Sequence, residues 1–276
     1  MLDSRDAARD WSAVASAWDR NADAVERHTE AATGALIDCV AVQAGDRVLE
    51  LAAGPGALGP TWSALVGPTG TVVLSDVAPG MVNVARQRNA HLDNVEVAVL
   101  DASAIDRPDH SFDVVVCQMG LMFAPDPAVA FGEIERVLRA GGRLGALTWG
   151  AIEHNPWMTC VGMAAMLNGL VTGGPPVGPG GIFSLGDPSE LAALARGAGL
   201  TDVIVTEIPV TFLAESIDDH VDRVSSLAGP LAPAFSDASA EQLAAVRRTA
   251  AQLAADHVTA DGVALPGRAL LVSGRA

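Results

Sequence analysis

A glycine-rich segment flanked by acidic residues carries the clearest chemistry in this sequence. Residues 48–59 read VLELAAGPGALG, an apolar run followed by Gly54, Gly56 and Gly59 in GxGxxG spacing. Without side chains there, the backbone can approach a ligand closely at the start of a helix. Asp76 follows Gly54 by 22 residues, near the spacing at which an acid binds a nucleotide ribose. These features alone admit either NAD or S-adenosylmethionine.

Two further acids favour the cationic ligand. Glu50 precedes the glycine turn, where a carboxylate attracts an ammonium group and repels a pyrophosphate. Asp101 follows a predicted strand at 95–99 and could accept from an adenine amine. Three acids along one sheet edge suit a cofactor with sulfonium and ammonium groups. The chain has no Lys and no Tyr, which excludes Schiff-base and Tyr/Lys dehydrogenase mechanisms.

The ordered motifs resemble class I S-adenosylmethionine-dependent methyltransferases, in the broad group related to ubiquinone/menaquinone biosynthesis C-methyltransferases. The resemblance runs from about Trp11 to Asn155. Beyond the glycine segment it rests on LSDVAPGMV (74–82), LDASAID (100–106), SFDVVVCQMGLMFAPDP (111–127) and EIERVLRAGGRLGALTW (133–149). Such a series specifies fold and cofactor and is almost silent on substrate.

The resemblance implies which residues hold the methionine half of the cofactor. Glu50, Ala52, Gly54 and Gly56 would line it. Gln118, at the end of the fourth predicted strand, would direct its side-chain carbonyl to the cofactor ammonium. These residues would surround the part of the molecule that carries positive charge.

The resemblance also implies how the nucleoside half is held. Asp76 would accept from both ribose hydroxyls, with Val77 and Met81 packed near adenine. Asp101 would bond the adenine amine, and Ala102 would offer its backbone N–H. Adenosine recognition would then come from the ends of two neighbouring strands.

The sequence departs from this family pattern after the fourth predicted strand. Many relatives carry one or two His there, whereas this chain reads Gly120, Leu121, Met122, Phe123. We therefore expect an apolar wall facing the transferred methyl group, with Met122 and Phe123 in the substrate pocket. Core packing is the alternative role for these two side chains.

The candidate base lies after the fifth predicted strand, in WGAIEHNPW (149–157). Of this stretch only Glu153 and His154 could take a proton near neutral pH, and His154 needs no large pKa shift. Trp149 and Trp157 could form flat walls for an aromatic acceptor. The alternative is a solvated His154, with alignment and desolvation as the main catalytic devices.

The remaining polar clusters give no further site. The six His residues show no HxxxH or HxxE grouping, so we expect no metal. Asp218, Asp219 and His220 are adjacent, but on a helix they would point in different directions. We interpret them as a solvated face.

Methyl transfer to a small molecule is the predicted reaction, as O- or C-methylation of a quinone, phenol or polyketide-type acceptor. A base would help with a hydroxyl acceptor, whereas a nucleophilic carbon could react without one. The alternative is a protein of this fold that binds S-adenosylmethionine and catalyses cyclisation or rearrangement. A non-catalytic binding module fits the intact loop and acids less well.

The elements that must position these residues alternate between short apolar runs and helical segments, which is typical of a parallel sheet covered by helices. We predict strands at 47–51, 71–75, 95–99, 112–117, 143–149, 202–212 and 263–273. Asp126–Pro127 and Asp187–Pro188 are helix-start signals, and Gly141–Gly142 is predicted to end the first of these helices. The expected fold is a Rossmann-like, doubly wound, mostly parallel seven-stranded α/β sheet with helical cap elements.

Segments outside this alternation suggest four parts. Residues 1–45 are predicted as an N-terminal helical lid that supplies Trp18 to the pocket, and 46–149 as the cofactor-binding core. Residues 150–186 are predicted as a flexible cap loop, because 173–181 consists almost wholly of Gly and Pro. The rest, 187–276, completes the core and carries a helical cap insertion at about 212–262. Residues 1–30 of the lid and the loop 150–186 are expected to close over the site.

Composition limits the partners. A net charge of −16 would repel nucleic acid and anionic membranes, which leaves small molecules. Half of the residues are hydrophobic, yet no run is long enough for a membrane span, and the acidic and basic start is unlike a secretory signal. We expect a cytoplasmic enzyme, monomeric or homodimeric. Three Cys without a CxxC pair argue against a disulfide framework.

Overall fold

A mostly parallel sheet forms the centre of the computed structural model, which describes residues 4–172, 177–229 and 231–276. Its strands are β1 (Arg47–Leu51), β2 (Thr71–Asp76), β3 (Val95–Val99), β4 (Phe112–Gln118), β5 (Leu138–Trp149), β6 (Thr201–Ala214), β7 (Val258–Thr259) and β8 (Gly262–Arg275). Their order is β3-β2-β1-β4-β5-β8-β6, with the short β7 paired to β8. This is the predicted Rossmann-like α/β sheet, extended by one two-residue strand.

The strand directions decide which loops meet. Strands β1 to β5 pair in parallel, whereas β8 runs antiparallel to both β5 and β6. Strand β6 therefore points the same way as β5, and the chain leaves both strands at the same edge of the sheet. Chain segments that follow β1 to β6 share this carboxyl edge, where ligands bind in open α/β folds.

Helices surround the sheet and continue beyond it. They are α1 (Ser4–Val40), α2 (Gly59–Val66), α3 (Pro79–Asn89), α4 (Pro127–Val137), α5 (Pro156–Leu167), α6 (Pro188–Gly197), α7 (Ile217–Leu227), α8 (Ala232–Ser236) and α9 (Ala240–Leu253). Helix α1 contacts β5, β6 and β8, α2 and α3 contact β1 to β3, and α6 contacts β6 and β8. Helices α7 to α9 form the insertion between β6 and β8.

Local signals explain several helix starts. Asp126 caps α4 by accepting from the backbone N–H groups of Ala128 and Val129, and Asp187 caps α6 in the same way. Helix α4 ends at Val137, before the predicted stop at Gly141–Gly142, because the chain enters β5 at Leu138.

The core is a continuous apolar layer between the sheet and its helices. Strands β1, β2 and β4 are almost wholly buried, since each has a neighbouring strand on both sides. Phe131 and Ile134 of α4, which contacts β5, and Trp62 of α2, which contacts β1 and β2, are fully buried. This packing holds the carboxyl ends of the central strands in fixed positions.

The two predicted cap segments, 1–45 and 150–186, both contain helices. The N-terminal segment is helical as predicted, since α1 runs through Val40. The segment 150–186 is not a loop throughout, because the apolar stretch after Pro156 forms α5 and buries Trp157, Met158 and Val161. Residues 173–176 of the predicted mobile stretch lie outside the described residues.

Candidate active site

A cavity of about 410 Å³ opens at the carboxyl edge of the sheet. Its walls come from the segments that follow β1 to β6, and helices α1 and α7 cover it. The lining includes every predicted cofactor residue except Gly56, and every predicted substrate-pocket residue: Glu50, Ala52, Gly54, Asp76, Val77, Met81, Asp101, Ala102, Gln118, Trp18, Met122, Phe123, Trp149 and Trp157. The cavity is therefore the candidate active site.

Glu50 lies at the end of β1 and is 3% exposed. Its Oε2 accepts a 2.9 Å hydrogen bond from Nε1 of Trp62, a contact between residues 12 positions apart that no sequence pattern indicates. Burial raises the pKa of Glu50 to about 8, with a further increase from the negative charge of Asp76 and an opposing effect of the Trp62 hydrogen bond. A bound cation would favour its ionised form.

Asp76 ends β2 and ties two backbone segments together. Oδ2 accepts from the N–H of Gly54 at 3.0 Å, and Oδ1 accepts from the N–H of Ala78 at 2.8 Å. Burial raises its pKa to about 6 despite these bonds. Each carboxylate oxygen has a second lone pair, so Asp76 retains capacity for ligand hydroxyls.

Asp101 and Gln118 complete the polar half of the cavity, the half that also contains Glu50 and Asp76. Oδ1 of Asp101 accepts from the N–H of Ser103 at 2.8 Å, a local turn bond that leaves Oδ2 without a hydrogen bond to any described residue. Oε1 of Gln118 is buried, and within the described residues it has no hydrogen-bond partner. A buried acceptor without a donor is costly, so Oε1 of Gln118 suits a ligand that donates a hydrogen bond.

The glycines of the loop have different tasks. Gly54 has φ +54°, and a Cβ there would meet no atom within 4 Å, so its open side faces the cavity. Gly56 does not line the cavity, which corrects the predicted role. A Cβ on Gly56 would lie 2.6 Å from Nδ2 of Asn89 and 2.9 Å from Cβ of Ala85. Gly56 therefore permits close packing of the loop on α3.

The opposite half of the cavity is aromatic. The rings of Trp157 and Phe212 stack with centroids 4.2 Å apart and planes 17° from parallel. Trp149 lies 4.8 Å from Trp157 in a tilted arrangement. Phe212 comes from β6 and was missed by the sequence interpretation, because alternation along an edge strand does not reveal which face meets a cavity.

Helix α1 covers the cavity and links its two sides. Trp11 contacts Phe123 edge-on at 5.0 Å, and Ser12 accepts a 3.1 Å hydrogen bond from the N–H of Gly80 at the start of α3. Nε1 of Trp18 donates to the carbonyl of Leu227 on α7 at 2.9 Å. The helix thus bridges the core and the insertion above the site.

The structure does not support His154 as the base. It lies in a short 3-10 helix, Ile152–His154, is exposed, and does not line the cavity. Glu153 is exposed as well. The chain turns outward after β5, and buried Asn155, whose side chain donates to the carbonyls of Gly150 and Ala151, fixes that turn.

Two other histidines reach the cavity. His220 on α7 is buried, which corrects the interpretation of Asp218 to His220 as a solvated face; Asp218 alone of the three is exposed. Desolvation lowers the pKa of His220. His28 on α1 is half-buried, and its Nε2 lies 3.0 Å from the carbonyl oxygen of Leu213. Desolvation lowers its pKa as well.

The charges in the cavity match a cationic ligand better than a pyrophosphate. The half formed by β1 to β4 carries Glu50, Asp76 and Asp101. Arg223 is the one arginine among the described lining residues, and it belongs to α7, where it pairs with Asp219. The residues present therefore fit S-adenosylmethionine, and the polyanionic centre of a dinucleotide would meet repulsion.

Metal-binding and membrane-spanning features are absent from the part of the chain that the structure describes. There, no group of His, Cys, Asp and Glu is arranged to hold a metal ion. Among the same residues, no helix combines the length and apolar character that crossing a membrane requires.

Comparison with known proteins agrees with this geometry. Residues 48–142 match the model of a methyltransferase domain. The chain is 43% identical over 111 residues to the ubiquinone/menaquinone biosynthesis C-methyltransferase of Hahella chejuensis, covering 39% of this chain and 45% of that one. It thus spans less than half the length of that curated relative.

Two solved structures share the fold. The YcgJ protein of Bacillus subtilis has a TM-score of 0.58 at 20% identity and covers 88% of this chain and 96% of its own. The [4+2]-cyclase SpnF has a TM-score of 0.55 at 17% identity, covering 88% of this chain and 79% of its own. The chain has the class I methyltransferase fold. Its methyltransferase domain is related to the ubiquinone/menaquinone C-methyltransferases.

Proposed function

We propose that this protein transfers a methyl group from S-adenosylmethionine to a small acceptor held in the aromatic half of the same cavity. One observation carries the proposal. The carboxylates of Glu50, Asp76 and Asp101 and the unpartnered carbonyl oxygen of Gln118 line one half of the cavity, which has no basic side chain among the described residues. Such a lining selects a ligand with ribose hydroxyls, an adenine amine and positive charge.

Different residues would bind different parts of the cofactor. Asp76 would accept from the ribose hydroxyls, and Asp101 and Ala102 would recognise adenine, with Val77 and Met81 beside the ring. Glu50 and Gln118 would face the ammonium group of the methionine part. When bound, this cofactor supplies an electrophilic methyl group on a sulfonium.

The protein's own contribution is to align the acceptor and exclude water. Helix α1 closes the cavity from above through Trp11 and Trp18, which supports its role as a lid. Trp149, Trp157 and Phe212 offer flat apolar faces to the acceptor. This favours a phenol, quinone or aromatic polyketide, and the name of the Hahella relative is in keeping with C-methylation of a quinone.

Calorimetry tests the cofactor assignment directly. The purified protein is titrated with S-adenosylmethionine, S-adenosylhomocysteine and NAD. We expect the first two ligands to bind and NAD not to bind. Of the three, only NAD carries a pyrophosphate, which the three acids would repel with no basic side chain to offset them. Binding of NAD alone, or of none of the three, would contradict the proposal.

Isotopic labelling tests the reaction. The protein is incubated with S-adenosylmethionine that carries a deuterated methyl group and with a panel of phenols, quinols and aromatic polyketides. Mass spectrometry is expected to find the labelled methyl group in one class of product. A product of unchanged mass but altered structure would instead identify a cyclisation or rearrangement.

A further inference from the structure

The tautomer of His220 follows from its one hydrogen bond. Nε2 lies 2.6 Å from the carbonyl oxygen of Trp157. A carbonyl oxygen can only accept, so Nε2 carries the proton and donates it. In the neutral ring, Nδ1 then holds the lone pair. Among the described residues, none forms a hydrogen bond with Nδ1, and His220 lines the cavity.

The surroundings of His220 keep it neutral. Burial in the cavity wall lowers its pKa, which favours the uncharged ring at neutral pH. The charged and titratable groups that act on it are Arg223 and Asp219 on its own helix and His28 on α1. Arg223 donates to Asp219 at 2.9 Å and to the carbonyl of Leu213 at 3.2 Å, so the carboxylate of Asp219 offsets its positive charge.

The ring also stands beside the aromatic walls. The centroid of His220 lies 6.4 Å from that of Phe212 in an edge-to-face arrangement. Phe212 stacks on Trp157, and the carbonyl that fixes the tautomer of His220 belongs to the same Trp157. A flat molecule resting on these rings would have its edge near a proton acceptor held in one orientation.

We propose that His220 is the catalytic base, and that its Nδ1 accepts the proton of a hydroxyl group on a flat aromatic acceptor bound against Trp157 and Phe212. This assignment rests on the proposed methyl transfer and narrows its substrate class to hydroxyarenes. The O–H bond breaks, its electron pair stays on oxygen, and the proton moves to Nδ1, giving an aryloxide and an imidazolium. An aryloxide is nucleophilic at oxygen and at its ortho and para ring carbons, so the step serves O-methylation and also C-methylation, in which the hydrogen of the methylated carbon is then lost by tautomerisation.

Other groups of the cavity fit this task less well. Burial raises the pKa of Cys117 to about 12, so its thiol is a poor base. Glu26 is exposed, and Glu50 lies in the half assigned to the cofactor. His28 is the nearest competitor, because its Nε2 also faces a backbone carbonyl, but it is only half-buried.

A matched pair of ligands tests whether Nδ1 of His220 accepts a hydrogen bond from a hydroxyl group, and the test does not require turnover. By calorimetry, the parent should bind 2-naphthol about 3- to 10-fold more tightly than 2-methoxynaphthalene, because only the first donates a hydrogen bond to Nδ1. In protein with ¹⁵N-labelled His, naphthol should shift the Nδ1 signal of His220, and the methyl ether should not. Equal affinities, or no binding of either ligand, would overturn the proposal.

Two substitutions separate hydrogen bonding from proton transfer. His220→Gln keeps a donor for the Trp157 carbonyl and an acceptor for naphthol but cannot take a proton at neutral pH. It should retain the naphthol preference and lower kcat by about 10²-fold or more with any hydroxyarene that is methylated. His220→Phe should lose both the preference and the activity while still binding 2-methoxynaphthalene.

The controls locate the effect. His91→Gln, at an exposed position of the surface, should behave as the parent. Loss of the naphthol preference in His28→Phe, with retention in His220→Phe, would assign the base to His28 and overturn the proposal. A near-parental kcat in His220→Gln would also overturn the proposal. Failure of the parent to bind S-adenosylmethionine would reject the proposed methyl transfer, while the naphthol pair would still decide whether Nδ1 receives a hydroxyl.

Discussion

The indole N–H of Trp62 points at Oε2 of Glu50 from 2.9 Å, and both side chains are buried. This pair places a carboxyl group at the end of β1 where water does not solvate it. Its pKa of about 8 reflects that isolation. Unless a cation binds beside it, Glu50 is mostly protonated at neutral pH.

Cofactor affinity should therefore depend on pH. Binding a cationic ligand stabilises the ionised form of Glu50, so binding releases a proton and strengthens as pH rises. Below the raised pKa, the affinity should increase by up to about 10-fold per pH unit and level off above pH ~8. Calorimetry of S-adenosylmethionine at pH 6, 7 and 8, in buffers of different ionisation enthalpy, measures both effects.

Glu50→Gln provides the control for this prediction. The amide keeps an acceptor for the Trp62 N–H but has no proton to release. The variant should bind S-adenosylmethionine more weakly at pH 8 than the parent, with a much flatter pH profile. Proton release of the same size in the variant would show that another group titrates.

Asp76→Ala tests the nucleoside half of the site. The substitution removes the acceptor for ribose and the two bonds that hold Gly54 and Ala78. Affinity for S-adenosylmethionine and S-adenosylhomocysteine should fall by roughly 2 to 4 kcal/mol. Asp38→Ala, on the exposed surface of α1, is the matched control and should leave the affinity unchanged. Parental affinity in Asp76→Ala would contradict the assignment.

The two loop glycines should respond differently to an added methyl group. Gly54→Ala should cost about 1 kcal/mol of stability through its positive φ, and it should weaken cofactor binding because the new Cβ faces the cavity. Gly56→Ala adds a clash with Asn89 and Ala85, so unfolding should require roughly 3 kcal/mol less. Urea titration and calorimetry separate the effects, and equal loss of stability in both variants would be inconsistent with this division.

The acid-lined half of the site could be predicted from sequence because each residue lies next to a strand end. An apolar run fixes where the strand stops, and parallel pairing brings all such ends to one edge. Glu50, Asp76 and Asp101 were located in this way, whereas Gln118 was implied by the resemblance to a known family. Gly56 was misassigned because a glycine needed for packing and a glycine needed for ligand approach look the same in a sequence.

The aromatic half could not be located in the same way. His154 has the correct position along the chain, but a buried Asn155 turns the segment outward, and no local pattern reports that contact. His220 arrives from the insertion between β6 and β8. Because β6 runs in the same direction as β5, the insertion that follows β6 begins at the carboxyl edge of the sheet. That position could have indicated His220 as a candidate.

The stack of Phe212 on Trp157 gives the last prediction. Phe212→Leu keeps an apolar side chain of similar volume but removes the planar face, so binding of 2-naphthol should weaken by roughly 3- to 10-fold. Affinity for S-adenosylmethionine should not change, because Phe212 lies outside the cofactor half. Leu213→Ala is the control, since the neighbouring side chain on β6 is 60% exposed. Calorimetry with both ligands gives the comparison, and equal weakening in the two variants would mean that β6 is disturbed as a whole and that the stacked face does not select the acceptor.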